Sequence, residues 1–252
     1  AVFHPARRLD RADLDGFQRV NVGGTARLLE ALEKKPPKKF VFLSSTKVSE
    51  LEALGGVPEA GSPEWAYARS KQEAEKLVRQ WSARKNVPCL IIRPAPVYGP
   101  GNKANLGRLF EAIRSRKFCF IGEGSQRKAV VFVDNLLAAL FFLLDGSPLP
   151  AEPVVVADYD TPTLRTFADW IAESAGVPSP PSRLSNRTAR KLLAVAETVG
   201  KAVPLPGAVR SLRSWLTESL HEPVWLKQAG FVPPFTTRQG VARCFNSSPA
   251  TV

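Results

Sequence analysis

The chain has 252 residues and 44% apolar content, enough for one large domain or two small ones with a real core. Its net charge is +12, and its three cysteines (Cys89, Cys119, Cys244) and two histidines (His4, His221) lack paired spacing, which argues against a structural zinc site or a disulfide framework. No apolar leader opens the chain, no apolar run nears the ~20 residues of a membrane span, and no Lys/Arg block interleaves with aromatics, so the reading is a cytoplasmic protein without specific nucleic-acid binding, its basic charge solvated or attracting a small anion.

Residues 1–4 read as the tail of a strand ending at His4. Residues 13–21 suggest a helix, and from Gly24 the apolar residues Ala26, Leu28, Leu29 and Leu32 repeat at helical spacing until Pro36-Pro37 stops them. Phe40-Val41-Phe42-Leu43 is a continuous apolar run, as in a strand buried on both faces of a parallel sheet. Ser44-Ser45-Thr46 follows at its carboxyl end, where open α/β sheets place ligands. After a loop over 55–63 comes a helix with Ala74, Leu77, Val78 and Trp81 on its inner face. Tyr67 and Lys71 sit four residues apart on it, so their side chains share one face. A nearby ammonium favours the phenolate of a residue whose free pKa is about 10. On spacing alone, the alternative is an exposed pair met by chance.

Cys89-Leu90-Ile91-Ile92 reads as a second buried strand, ending in Arg93-Pro94 and a Pro/Gly loop through Gly101. The alternation of strand and helix is that of a parallel, doubly wound α/β sheet. Further on, 106–113 forms an amphipathic helix, and 118–121 and 130–133 read as strands, with Gly122-Glu123-Gly124 as a hairpin turn. Asp134 is placed to cap a helix over 135–144. Val154-Val155-Val156 is another strand, and Thr163 caps a helix closed by Gly176. Residues 177–182 read as a linker, and 188–202, 209–220, 223–229 and 237–245 as short helices.

Ser45 at one strand end, Tyr67 and Lys71 on the next helix and Arg93-Pro94 at the following strand end resemble, in order and spacing, the extended short-chain dehydrogenase/reductase family. Within it the pattern is similar to the NAD-dependent nucleotide-sugar epimerases, dehydratases and 4-reductases. Asn21-Val22-Gly23-Gly24-Thr25 with Leu28-Leu29-Glu30-Ala31, Val97-Tyr98-Gly99-Pro100-Gly101 with Asn105, Arg127 through Val133-Asp134-Asn135, and Ser219-Leu220 through Gly230-Phe231-Val232-Pro233-Pro234 all resemble family segments. The resemblance implies a Rossmann-like sheet with a smaller mixed C-terminal substrate domain. Residues 1–101 would form a partial dinucleotide-binding domain, and 102–252 mainly the substrate region, with 130–176 returning to the sheet.

It also implies roles. Tyr67 would exchange the proton of a sugar hydroxyl while NAD or NADP exchanges hydride, Ser45 would hydrogen-bond the reacting oxygen, and Asn21 would support the site from the preceding helix. Lys71 would hold the nicotinamide ribose and keep the Tyr67 pKa low. His4, Ser44 and Pro94 match cofactor-side positions. Asn105 and Arg127 match positions meeting the diphosphate of a nucleotide sugar, a UDP-sugar by preference, and a homodimer is the implied assembly.

The chain also departs from the pattern. No G-x-x-G-x-x-G phosphate loop follows a first strand and there is no methionine, which predicts an N-terminally incomplete copy lacking its first strands, with weak or no cofactor binding. Pro5, Arg7 and Arg8 replace the small or apolar residues expected after His4, and Ser49 stands where many relatives carry tyrosine. Two other readings stay open: a 3β-hydroxysteroid-type dehydrogenase, and a non-catalytic binding relative.

Overall fold

Four apolar runs pair, all in parallel, as one sheet in the order β1-β2-β3-β7. In this computed structural model, which describes residues 2–3, 14–53, 62–102, 105–146, 148–184 and 218–246, they are β1 (Val2–Phe3), β2 (Phe40–Leu43), β3 (Cys89–Pro94) and β7 (Val154–Val156). Register pairs Phe42 with Ile91 and Arg93 with Val155. The expected doubly wound parallel sheet is therefore present.

Chain contacts divide the protein into two compact units. The first comprises Ala1–Ala95, Leu136–Ala157 and His221–Val232, and the second Pro96–Asn135, Asp158–Leu220 and Pro233–Val252.

In the first unit, α1 (Leu14–Phe17) runs through a π-helical turn, Gln18–Gly23, into α2 (Gly24–Ala31). A short helix absent from the sequence reading, α3 (Thr46–Glu52), follows β2 directly, and α4 (Pro63–Lys85) carries the Tyr67/Lys71 pair. Local chemistry sets the ends of α4: Ser62 accepts from Trp65 N at 3.2 Å, Pro63 opens the first turn, and Asn86 closes the helix in the left-handed region at φ 52°. Its apolar stripe of Ala74, Val78 and Trp81 packs with Leu29 of α2 onto Phe40, Phe42 and Ile91. Emptying the Trp81 site would cost about 3–5 kcal/mol.

The second unit is built on two parallel strand pairs: β4 (Val97–Tyr98) with β6 (Val131–Phe132), and β5 (Phe120–Ile121) with β8 (Ser182–Leu184). Around its aromatic core lie α5 (Asn105–Arg114), α7 (Leu164–Ser174) and α9 (Thr237–Asn246). Gly240 lets α9 approach closely, since a Cβ there would meet Tyr98 Oη at 2.5 Å. Two helices complete the set: α6 (Val133–Asp145), whose start lies in the second unit and whose body lies in the first, and α8 (Val224–Gln228), which packs against β7 in the first.

Three sequence expectations fail here. Gly122-Glu123-Gly124 is not a hairpin turn: the backbone beyond it is taken by another segment, with Arg165 N donating to Gly124 O and Leu164 N to Gln126 O. Residues 177–182 are not a free linker, because Phe120 N bonds Pro181 O and Ser182 begins β8. Asp134 does not cap α6, which starts one residue before it; its carboxylate lies in the first turn, where the helix dipole favours negative charge. The helix expected over 188–202 lies outside the described residues, as does most of the one expected over 209–220; its described end, 218–220, is not helical, since Ser219 bridges Lys128.

Candidate functional site

Ser44 and Ser45 leave the carboxyl end of β2, Ser44 N still bonding Ile92 O of β3 at 2.7 Å. Ser45, in extended conformation, caps α3 by accepting from Lys47 N at 3.2 Å. That bond uses a lone pair and keeps the hydroxyl proton available. The Tyr67 phenol lies within hydrogen-bond reach of the same side chain. Capping and site chemistry therefore meet in one residue. The Ser44 hydroxyl is buried without a hydrogen-bond partner.

Lys71 is fully buried, its Nζ donating to Leu43 O at 2.9 Å and standing 5.3 Å from the centre of the Phe42 ring. Burial lowers its pKa to about 8, with the Glu75 carboxylate one turn away acting in the opposite sense. The Tyr67 pKa moves the other way from the sequence expectation. Burial raises it, the Ser45 hydrogen bond offsets only part of that rise, and Lys71 spends a donor on the β2 carbonyl. The Phe17 ring, 5.6 Å away and edge-on, contributes to the apolar surroundings of the phenol.

Asn21 is fully buried in the π-helical turn. Its Nδ2 donates to Ser70 Oγ at 2.9 Å, and Ser70 Oγ donates to Tyr67 O at 2.8 Å. Because Ser70 spends its proton on that carbonyl, it must accept from Asn21, which fixes the amide orientation and leaves Asn21 Oδ1 buried without a partner. The Asn21 backbone carbonyl accepts from Thr25 Oγ1 at 2.6 Å. Pro94 is buried at the end of β3, where Ala95 N bonds Val156 O.

Six of the expected residues, Asn21, Ser44, Ser45, Tyr67, Lys71 and Pro94, thus lie in the first unit at strand ends and on the helices facing them. Asn105 and Arg127 belong to the second. Asn105 opens α5, and Arg127 is exposed, with Nε donating to Thr161 O at 3.2 Å and its backbone N to Glu218 Oε1 at 3.4 Å. His4, Pro5, Arg7 and Arg8 lie outside the described residues.

Sequence reasoning missed the roles of Ser70 and Glu75. Ser70 sits between Tyr67 and Lys71, and Glu75 is one helical turn beyond Lys71, a spacing that could have flagged it. Ser49 does not mimic a tyrosine; its Oγ accepts from Arg93 Nη1 at 3.2 Å. Among the described residues no cluster of His, Cys, Asp and Glu could hold a metal ion, and no helix is long and apolar enough to cross a membrane.

The chain is similar in sequence and fold to several known proteins. A 2-alkyl-3-oxoalkanoate reductase of Stenotrophomonas maltophilia is 25% identical, with 99% of this chain and 81% of the relative covered. The N-acetyl-alpha-D-glucosaminyl-diphospho-ditrans,octacis-undecaprenol 4-epimerase of Escherichia coli O157:H7 is 26% identical over 89% of this chain and 69% of its own length. A 3 beta-hydroxysteroid dehydrogenase/Delta 5-->4-isomerase of Mycobacterium tuberculosis is 27% identical over 89% of this chain, which spans 65% of that relative. The fold matches that of UDP-glucose 4-epimerase from Thermotoga maritima, solved with UDP-glucose, at a TM-score of 0.68 and 18% identity over 96% of this chain and 74% of that one. The family model described as NAD dependent epimerase/dehydratase matches residues 1–157, and with the strand-end serine, the Tyr67/Lys71 helix and the parallel sheet in place, the chain belongs to that family.

Proposed function

We propose that the chain serves an NAD(P)-dependent oxidation and reduction at a secondary hydroxyl of a nucleotide-diphosphate sugar, of the epimerase or 4-reductase type, with Tyr67 as proton donor and acceptor. One observation carries the reading: the Tyr67 phenol, the Ser45 hydroxyl and the buried Lys71 ammonium converge on the carboxyl end of β2, beside buried polar atoms left unpaired, Ser44 Oγ and Asn21 Oδ1. Unsatisfied buried polar groups are costly and concentrate where a ligand completes them.

These residues fit the nicotinamide end of the cofactor. Lys71 would hold the ribose hydroxyls, while Ser44 and the Pro94 backbone would line the ring. When bound, NAD(P) supplies the hydride acceptor and donor. Ser45 donates its remaining proton to the reacting sugar oxygen and stabilises charge there. Tyr67 Oη takes the hydroxyl proton on oxidation and returns it on reduction. With a pKa of about 8, Lys71 is poised to change protonation close to working pH, beside the residue that must lose and regain a proton. Asn105 and Arg127, the latter anchored through Nε on Thr161 O, would take the diphosphate.

A second reading, a 3β-hydroxysteroid-type dehydrogenase using the same Tyr67/Lys71 pair, is favoured by the mycobacterial relative. The two separate in one experiment: the full-length protein is incubated with NAD+ or NADP+ and either UDP-glucose, UDP-N-acetylglucosamine or a 3β-hydroxysteroid, with products followed by proton NMR, reduced cofactor by absorbance and cofactor binding by quenching of tryptophan fluorescence. Turnover of a UDP-sugar is expected. Oxidation of the sterol alone would overturn the sugar assignment, and binding of neither cofactor would overturn both.

A further inference from the structure

Behind the Tyr67/Lys71 pair lies a charged cluster that the proposed reaction does not use. Arg93, next to Pro94 on β3, has a side chain only 9% exposed, and all five of its N–H donors are committed. Nε and Nη2 fork onto Glu75 of α4 at 2.9 and 2.7 Å, Nη1 and Nη2 fork onto Glu52 of α3 at 2.6 and 2.9 Å, and Nη1 reaches Ser49 of α3 at 3.2 Å. One guanidinium thus clamps two helices to the strand between the cofactor-side residues.

Buried ion pairs add little net stability over apolar packing and are best attested where they fix a particular arrangement. The two clamped helices are the ones that must stay in register here. Glu52 closes α3, whose opposite end is the Ser45 cap, and Glu75 lies one turn beyond Lys71 and two beyond Tyr67.

We propose that Arg93 is a positioning residue for the proton-handling centre: by gripping Glu52 and Glu75 together it holds the helix that presents Ser45 against the helix that presents Tyr67 and Lys71. This rests on the reading of that centre given above. The clamp also carries charge, since two carboxylates share one guanidinium and the inner one, Glu75, acts on Lys71. The groups acting on Lys71 include Glu75 on its own helix, the Leu43 carbonyl and Phe42 ring on β2, and, through Glu75, Arg93 on β3 and Glu52 on α3. A lysine cannot replace the arginine, because it lacks the planar fork needed to hold two carboxylates at once.

The test needs no turnover. The chain is labelled with 13C at lysine Cε and tyrosine Cζ, and the Lys71 and Tyr67 signals are assigned with Lys71→Met and Tyr67→Phe. Wild type is then titrated beside Arg93→Lys, Glu75→Gln and Glu52→Gln. Glu52→Gln removes only the outer, half-exposed arm and serves as the variant least prone to misfold. The Lys71 midpoint is expected near about 8 in wild type and lower by on the order of one pH unit in Glu75→Gln. The Tyr67 signal is expected to move in both Arg93→Lys and Glu52→Gln although neither side chain touches it. Tyr67 and Lys71 signals unchanged in Arg93→Lys and Glu52→Gln, with near-ultraviolet circular dichroism like wild type, would overturn the positioning role. If these signals move while the wild-type chain turns over no substrate, the clamp stands and the reaction assignment fails, so the two failures are distinguishable.

Discussion

Two buried polar clusters, one in each unit, solve the problem of polar burial in opposite ways. In the second unit the Asp158 carboxylate is almost fully enclosed, yet its oxygens accept from Phe132 N at 3.1 and 3.2 Å, Asn135 Nδ2 at 2.8 Å, Tyr98 Oη at 3.1 Å and Thr237 Oγ1 at 3.1 Å. Burial still pushes the Asp158 pKa up, with those donors opposing it, and burial followed by the Asp158 charge drives the Tyr98 phenol far above its ordinary range. Such a tyrosine is a fixed donor. In the first unit Tyr67 shares a hydrogen bond with one serine, Lys71 has a pKa lowered to about 8, and Ser44 Oγ and Asn21 Oδ1 are unpaired. A closed network specifies structure and an open one is left to be completed by a ligand.

Stability measurements distinguish the closed cluster from the open one. Asp158→Ala leaves Phe132 N and one N–H of Asn135 Nδ2 buried without an acceptor, while Tyr98 and Thr237 retain Thr237 O and Asp160, and is expected to lose at least about 3 kcal/mol in urea unfolding; a loss below ~1 kcal/mol would mean the network is not a scaffold. For Lys71 the sign follows from its folded pKa lying below the ordinary 10.5. The unfolded chain then holds more proton between about 8 and 10.5, so stability should rise with pH across that window, by at most about 3 kcal/mol, relative to Lys71→Met. A flat difference between the two proteins would contradict the buried, poised ammonium. Tyr98→Phe, which removes one member of the closed network, should cost about 1–2 kcal/mol. Ser44→Ala is expected to stay within ~0.5 kcal/mol, because its hydroxyl makes no bond to lose. Equal costs for those last two would erase the distinction between the clusters.

Much of the first unit was legible in the chain itself. Continuous apolar runs at Phe40–Leu43 and Cys89–Pro94 marked buried parallel strands, and i, i+4 spacing placed Tyr67 and Lys71 on one helical face. What escaped depends on distant partners. The strand Ser182–Leu184 is set by pairing with Phe120–Ile121, a parallel match that no local pattern announces, and the glycines at 122 and 124, both at positive φ, imitate a hairpin without forming one. Arg93 looked like a strand-end residue because its two carboxylates come from helices 41 and 18 positions away. The direction of the Tyr67 pKa escaped for a related reason: helical spacing brings an ammonium near a phenol, but burial and a competing carbonyl at Leu43 decide the balance.

Tyr67, and not the fully buried Tyr98, moves the proton in the proposed reaction, and the direct measurement is turnover of a UDP-sugar with NAD(P) by Tyr67→Phe beside Tyr98→Phe in the full-length protein. Loss of kcat by about 10²–10⁴-fold in Tyr67→Phe with KM nearly unchanged, against a kcat close to wild type in folded Tyr98→Phe, is the expected result. Turnover by Tyr67→Phe at the wild-type rate would contradict it.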